Sequence, residues 1–311
     1  MITIIIPTRN RGYILEKVIE SYYIQKHVTE IIVVDDYGSD NTKKIISKIS
    51  KIYTNISTKY IKHDERKGAA AGRITGYTNA INKYILFGED DASLEVNYAE
   101  TLLYKMTSDE KIGLISGRII YKLVNETDNE SGKRFGLGFE RIEAFNKYHF
   151  GNNVNAYFEG DIELPMTHAL FLTKKHLLEE FKYDPFYAKG NGYREESDFQ
   201  INIFINNFKV VCTNDTHCYH VSRQEINKGG QRVNRLKQIY WNVYFTNYFY
   251  NKYFDKFKNK LEIKYSKNIG LFLFFILMLN LSNTNWASLW TFPKTPACAL
   301  IFLFRRNSEY A

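Results

Sequence analysis

The stretch Ile85-Leu-Phe-Gly-Glu-Asp-Asp-Ala92 ends an apolar run in three adjacent carboxylates, Glu89, Asp90 and Asp91. Neighbouring anions repel one another and persist together most easily around a cation. Oxygen donors suit magnesium or manganese, commonly shared with a substrate phosphate, although a solvated loop would read the same in isolation. Asp35 and Asp36 close a second apolar run, where a carboxylate can accept from a nucleobase N–H or from ribose hydroxyls. Ser39 or Asp40 just beyond can also cap a helix. Lys67-Gly-Ala-Ala-Ala-Gly-Arg-Ile-Thr-Gly76 is basic and glycine-spaced at a helix start, which suits a phosphate near the helix N-terminus. Arg73 there could grip a diphosphate through two nitrogens, while Gly72 and Gly76 equally fit close helix–sheet packing. Glu195, Glu196 and Asp198 fall in one first helical turn, which the helix dipole favours. One of them directed into a cleft would make a general base. His217 and His220 follow the last apolar strand and raise the prospect of metal ligation.

These groups need elements to position them. Apolar β-rich runs at Ile2–Ile6, Glu30–Asp35, Ser57–His63, Tyr84–Phe87 and Gly113–Ile119 alternate with helix-like stretches at Gly12–Gln25, Asn41–Lys51, Ala69–Asn82 and Asn97–Met106. Such alternation implies an α/β protein with a mostly parallel, Rossmann-like sheet covered by helices on both faces. Ligands in such sheets bind beyond the carboxyl ends of the strands. Pro7-Thr-Arg-Asn10 follows the first strand there, Asp35-Asp36 the second and the acidic triplet the fourth. Arg134–Pro165 is irregular and reads as a hairpin or loops. Met166–Thr173 and Lys209–Thr213 read as strands, with helices at Lys174–Phe181 and Glu195–Asn207.

At 311 residues with 44% hydrophobic content the chain can bury a large core, which excludes wholesale disorder. Cys212, Cys218 and Cys298 form neither a disulfide framework nor a zinc pattern. The start, Met1-Ile-Thr-Ile-Ile-Ile-Pro7, reads as a strand rather than a signal peptide, so a cytoplasmic location is expected. The formal charge is +8, and Ser222–Lys267 alone carries eleven Lys or Arg against three acids. The basic excess is therefore local, and so is the anionic partner it implies.

Taken in order, these motifs resemble family 2 glycosyltransferases of the GT-A fold over roughly residues 1–250. Ile4-Ile-Ile-Pro-Thr-Arg-Asn-Arg11 is similar to the family opening, and Val33-Val-Asp-Asp-Tyr-Gly-Ser-Asp40 to its second-strand signature. Gly72-Arg-Ile-Thr-Gly76 looks like the arginine-bearing helix, Glu89-Asp-Asp91 the D-x-D-type motif, and Arg194-Glu-Glu-Ser-Asp-Phe199 the element holding the base. Tyr219-His220 is similar to the late histidine of the metal site. Two departures stand out: Glu89 occupies the first D-x-D position, and Glu196 stands where many relatives carry Asp.

The resemblance implies inverting transfer of a sugar from a nucleoside diphosphate, UDP before thymidine or guanosine donors, to a glycan or lipid-linked hydroxyl. It assigns Glu196 as base and a manganese or magnesium ion to Asp91, with Asp90 or His220 assisting. Pro7, Thr8, Arg9, Asn10, Asp35, Asp36, Arg73 and Asp90 would bind the donor. Glu195 and Asp198 would orient neighbours or meet the acceptor. A GT-A catalytic domain would span 1–230, its nucleotide-sugar half 1–120 and its acceptor half 121–230, with a helical extension at 231–311. A non-catalytic sugar-nucleotide-binding scaffold and a nucleotidyltransferase are the rival readings.

The extension is aromatic and basic. Ten of the eighteen residues in Tyr240–Phe257 are aromatic, and Lys252, Lys256, Lys258 and Lys260 sit within or just after them. The aromatics fit either a core face or an interfacial helix on an anionic membrane. The apolar run Ile269–Leu281 is shorter than the ~20 residues of a spanning helix. A second apolar run, Ala297–Phe304, is followed by Arg305-Arg306. Peripheral attachment at the cytoplasmic face is the expectation, and the apolar runs suit lipid better than nucleic acid.

Overall fold

The computed structural model describes residues 1–280 except 149 and 232. Leu281, the Ala297–Phe304 run, Cys298 and Arg305-Arg306 lie outside the described residues. A nine-stranded sheet organises the chain: β1 (Ile2–Thr8), β2 (Val28–Asp35), β3 (Ser57–Lys62), β4 (Tyr84–Phe87), β5 (Ala92–Leu94), β6 (Ile112–Tyr121), β7 (Asp161–Glu163), β8 (Leu172–Lys174) and β9 (Lys209–His220). The spatial order is β3-β2-β1-β4-β8-β6-β9-β5, with β7 pairing to β9. β1 runs parallel to β2 and β4, β2 to β3, and β6 to β9. β8 is antiparallel to both β4 and β6 and joins the two halves of the sheet.

The central strands are apolar on both faces because helices cover both. Ile2, Ile4 and Ile6 enter one core, while Ile5 enters the other with Ile85 and Phe87. The helix Gly68–Asn79 lies so close to β1 that a Cβ at Gly76 would collide with Ile5, which is the packing role foreseen for that glycine.

Three local features depart from the sequence expectation. The expected helix Gly12–Gln25 divides into Gly12–Val18 and Glu20–Tyr23. The expected strand Met166–Thr173 pairs only over Leu172–Lys174, because side chains take over the backbone before it: Thr167 N donates to Gln200 Oε1. β9 does not stop at Thr213 but shifts register between Thr213 and His217 and continues to His220.

The aromatic stretch lies on the helix Arg235–Lys260. Phe249, Tyr250, Tyr253, Phe254 and Phe257 are buried in the same core as Phe87 and Phe199, so this face is turned into the protein and is closed to any lipid surface. Lys252 bonds Asp184 and Asp198 and ties the helix down. The helix Lys267–Asn280 packs back on it, with Phe274, Leu277 and Met278 against Ile239 and Val243. Among the described residues no helix is long and apolar enough to cross a membrane.

Candidate functional site

The carboxyl ends of β1 and β4 and the start of the Gly68–Asn79 helix meet around a cavity of about 260 Å³. Its lining includes Pro7, Thr8, Arg9, Arg11, Asp36, Arg73, Glu89, Asp90, Asp91, Glu195, Glu196 and His220. β5 decides how the acidic triplet meets the histidine. This short strand starts immediately after Asp91 and pairs antiparallel with the end of β9, placing Ala92 opposite His220. Val221 N then donates to the Asp91 carbonyl at 2.8 Å.

One ligand atom from each of Glu89, Asp91 and His220 can be chosen so that all lie within 4.8 Å of one another. His220 Nδ1 is 2.8 Å from the Val221 carbonyl, which can only accept, so Nδ1 carries the hydrogen. Nε2 is left facing Asp91 Oδ1 at 3.4 Å. In the neutral imidazole both of these atoms offer a lone pair, so a cation placed between them could be held by both. Two carboxylates and one imidazole suit manganese or magnesium. Burial, reinforced by the Asp91 charge, pushes the Glu89 carboxyl up to about 7, with His220 and Arg73 pulling the other way. The donor set therefore fits a divalent ion.

Asp90 is set apart from that cluster. Thr8 Oγ1 donates to its Oδ2 at 2.7 Å and Arg11 Nη1 to its Oδ1 at 2.9 Å. Both oxygens are engaged, and Asp90 stands outside the Glu89–Asp91–His220 group. Arg11 Nη1 also donates to Asp91 Oδ2 at 2.7 Å. Burial opposes the guanidinium charge, but Asp90 and Asp91 outweigh it and raise the Arg11 pKa above its ordinary value.

Arg73 pairs with Glu195 at 3.3 Å and reaches the Ala169 carbonyl. Burial raises the Glu195 carboxyl to about 7 despite Arg73, and the Glu196 charge adds to the effect. Glu196 lines the cavity and is half-buried. The loop before these acids carries Gly190 and Gly192 at positive φ, where a Cβ would strike Trp241 and Gln231 respectively. Asp198 is 1% exposed and accepts from Tyr187, Tyr253 and Lys252. It anchors the Arg235–Lys260 helix, in keeping with the orienting alternative rather than the acceptor one.

Asp36 reaches the cavity while accepting from Lys67 N and Gly68 N at 2.7 and 2.9 Å. Asp35 turns inward to Gly38 N and Tyr60, and Asn10 Oδ1 accepts from Ser39 N. Neither is among the residues that line the cavity, and both shape the loops beside it.

The glycosyl transferase family 2 model matches residues 3–171. The chain belongs to that family. A GalNAc(5)-diNAcBac-PP-undecaprenol beta-1,3-glucosyltransferase of Campylobacter jejuni is 28% identical over 197 residues, covering 63% of this chain. The chain spans only 60% of that relative's length. A Pyrobaculum calidifontis mannosyltransferase solved with GDP-Man and Mn2+ superposes with a TM-score of 0.59 at 16% identity, over 99% of this chain and 80% of that one. S. aureus TarS 1-349 solved with UDP-GlcNAc gives 0.58 at 13% identity, over 96% of this chain and 78% of that one. The fold is GT-A, with a C-terminal helical region.

In this family 2 chain, the matched residues carry the triplet and Arg73, while Glu196 and His220 lie beyond them. Arg11 is the lining residue that the sequence did not single out, because one arginine after a strand gives no sign of its partners. Glu89, part of the acidic triplet expected around a cation, joins Asp91 and His220.

Proposed function

We propose that this chain is an inverting glycosyltransferase. It moves a sugar from a nucleoside diphosphate, UDP in the first instance, to a hydroxyl of a glycan or lipid-linked acceptor in surface polysaccharide or glycoconjugate synthesis. One observation carries the reading: the Glu89–Asp91–His220 cluster and the Glu196 carboxylate line a single cavity.

Glu89, Asp91 and His220 would hold manganese or magnesium, which when bound neutralises charge developing on the departing diphosphate. Asp90, fixed by Thr8 and Arg11, is the ribose ligand. Pro7, Thr8, Arg9 and Asp36 line the nucleoside end. Arg73, held by Glu195, adds positive charge beside the diphosphate. Glu196 accepts the proton of the acceptor hydroxyl as that oxygen attacks the anomeric carbon. The undecaprenol-linked substrate in the Campylobacter relative's name supports a lipid-linked acceptor and a place at the cytoplasmic face of the membrane.

The test is release of nucleoside diphosphate from UDP- and GDP-sugars in the presence of polyprenyl-diphosphate-linked saccharides and manganese. Turnover by the wild-type chain that falls about 10²–10⁴-fold in Glu196→Gln supports the reading. Unchanged turnover in Glu196→Gln removes Glu196 as the base.

A further inference from the structure

Arg11 divides the work of two adjacent aspartates. Its Nη1 reaches Asp90 Oδ1 at 2.9 Å and Asp91 Oδ2 at 2.7 Å. Thr8 takes the other oxygen of Asp90, and the other oxygen of Asp91 faces His220. Each of the four carboxylate oxygens thus has one defined neighbour. Without the guanidinium two like charges on consecutive residues would be free to turn apart. Arg11 Nε is buried with no partner, so the guanidinium is placed for the acids rather than for its own satisfaction.

A glycine turn that lines the same cavity lies against this group. Gly229 and Gly230 both have positive φ, and a Cβ at Gly230 would lie 2.5 Å from Arg11 Nη2. Gly230 N donates to the Arg9 carbonyl at 2.8 Å, and Asn227 N and Lys228 N donate to the Tyr13 hydroxyl. The turn after β9 is therefore latched to the chain on both sides of Arg11.

From this geometry we infer that Arg11 is a positioning residue for the donor site. It fixes Asp90 toward the nucleoside and Asp91 toward His220, and the Gly229–Gly230 turn holds it in place. This rests on the donor reading above. A charge-assisted bond to each acid is stronger than a neutral one, and a lysine could retain the charge and a point donor, whereas methionine retains neither.

The test is calorimetric titration of the full chain with UDP and GDP in saturating manganese, then with uridine and guanosine. Arg11→Met should bind the nucleoside diphosphate that the wild type binds about tenfold more weakly. The matching nucleoside should weaken by a similar factor, because the effect passes through Asp90. Arg11→Lys should stay within about threefold of wild type. Gly230→Ala, which crowds Arg11 without removing it, should weaken both ligands in the same direction and keeps the test open should Arg11→Met not fold. Nucleoside affinity unchanged in Arg11→Met, with only the diphosphate weakened, would overturn positioning in favour of direct phosphate contact. Unchanged affinity for both would overturn any role in the site. If the wild type binds neither nucleotide, the donor reading falls and this inference with it.

Discussion

His220 Nε2 stands 3.4 Å from Asp91 Oδ1 while Nδ1 of the same ring is committed to the Val221 carbonyl. The pairing of Ala92 with His220 across β5 and β9 creates this approach. A backbone hydrogen bond thus fixes which nitrogen can serve as a ligand, and the sheet fixes where it points.

Replacing His220 with Ala should lower manganese affinity by at least about tenfold. Stability without the ion should change little, since the ring is only partly buried. Thermal melts with and without manganese check this. An equal manganese-induced shift in the variant would take His220 out of the ligand set.

Glu89 and Glu195 make the metal-free protein pH-sensitive. Both rise from 4.5 to about 7 on folding, chiefly through burial. Between those values the folded state binds more protons than the unfolded chain, so their contribution falls as pH rises from about 4.5 to 7 and levels off above. Glu89→Gln should flatten this slope in urea melts at several pH values. Manganese, which needs the Glu89 carboxylate, should stabilise more as pH rises across the same window. A slope identical in Glu89→Gln would rule Glu89 out as a source.

Asp198 should be a stability residue. Asp198→Asn leaves Lys252 facing a neutral amide in a site bonded by Tyr187 and Tyr253. Lys252 keeps its ion pair with Asp184 at 2.8 Å, so the variant weakens charge-assisted bonds rather than stranding a charge, at a cost of about 1–3 kcal/mol. Denaturant unfolding reads it, and nucleotide affinity at permissive temperature should hold. A loss of affinity with full stability would return Asp198 to the binding site.

Gly76→Ala should destabilise by about 1–3 kcal/mol, because the new methyl meets Ile5 on β1. Its unfolding midpoint is the check, and a neutral result would mean that the helix can move off the strand.

The alternation of strands and helices was legible because apolar periodicity survives in sequence, and it put Asp36, Asp91 and Arg73 at the correct sheet edge. Position along a strand end does not say which of two neighbouring carboxylates turns outward. Asp35 and Asp36 show this: one bonds Gly38 and Tyr60, the other reaches the cavity. β5 has three residues, too few to show a period, and the register shift in β9 lies within the polar Asn214-Asp215-Thr216. Those two features bring His220 to Asp91, so a histidine expected after the last strand lies on it instead. The helix Asp128–Phe135 carried a readable signal in its capping box, Thr127 with Glu130, and it ends just as the region expected to be irregular begins at Arg134.

In the proposed function the acidic cluster binds a nucleoside diphosphate through a divalent ion. Differential scanning fluorimetry of the wild-type chain and Asp91→Asn, with UDP or GDP and with or without manganese, tests it most directly. One nucleotide should raise the melting temperature of the wild type only when manganese is present, and Asp91→Asn should lose this shift. Equal stabilisation with and without manganese, or a full shift in Asp91→Asn, would contradict it.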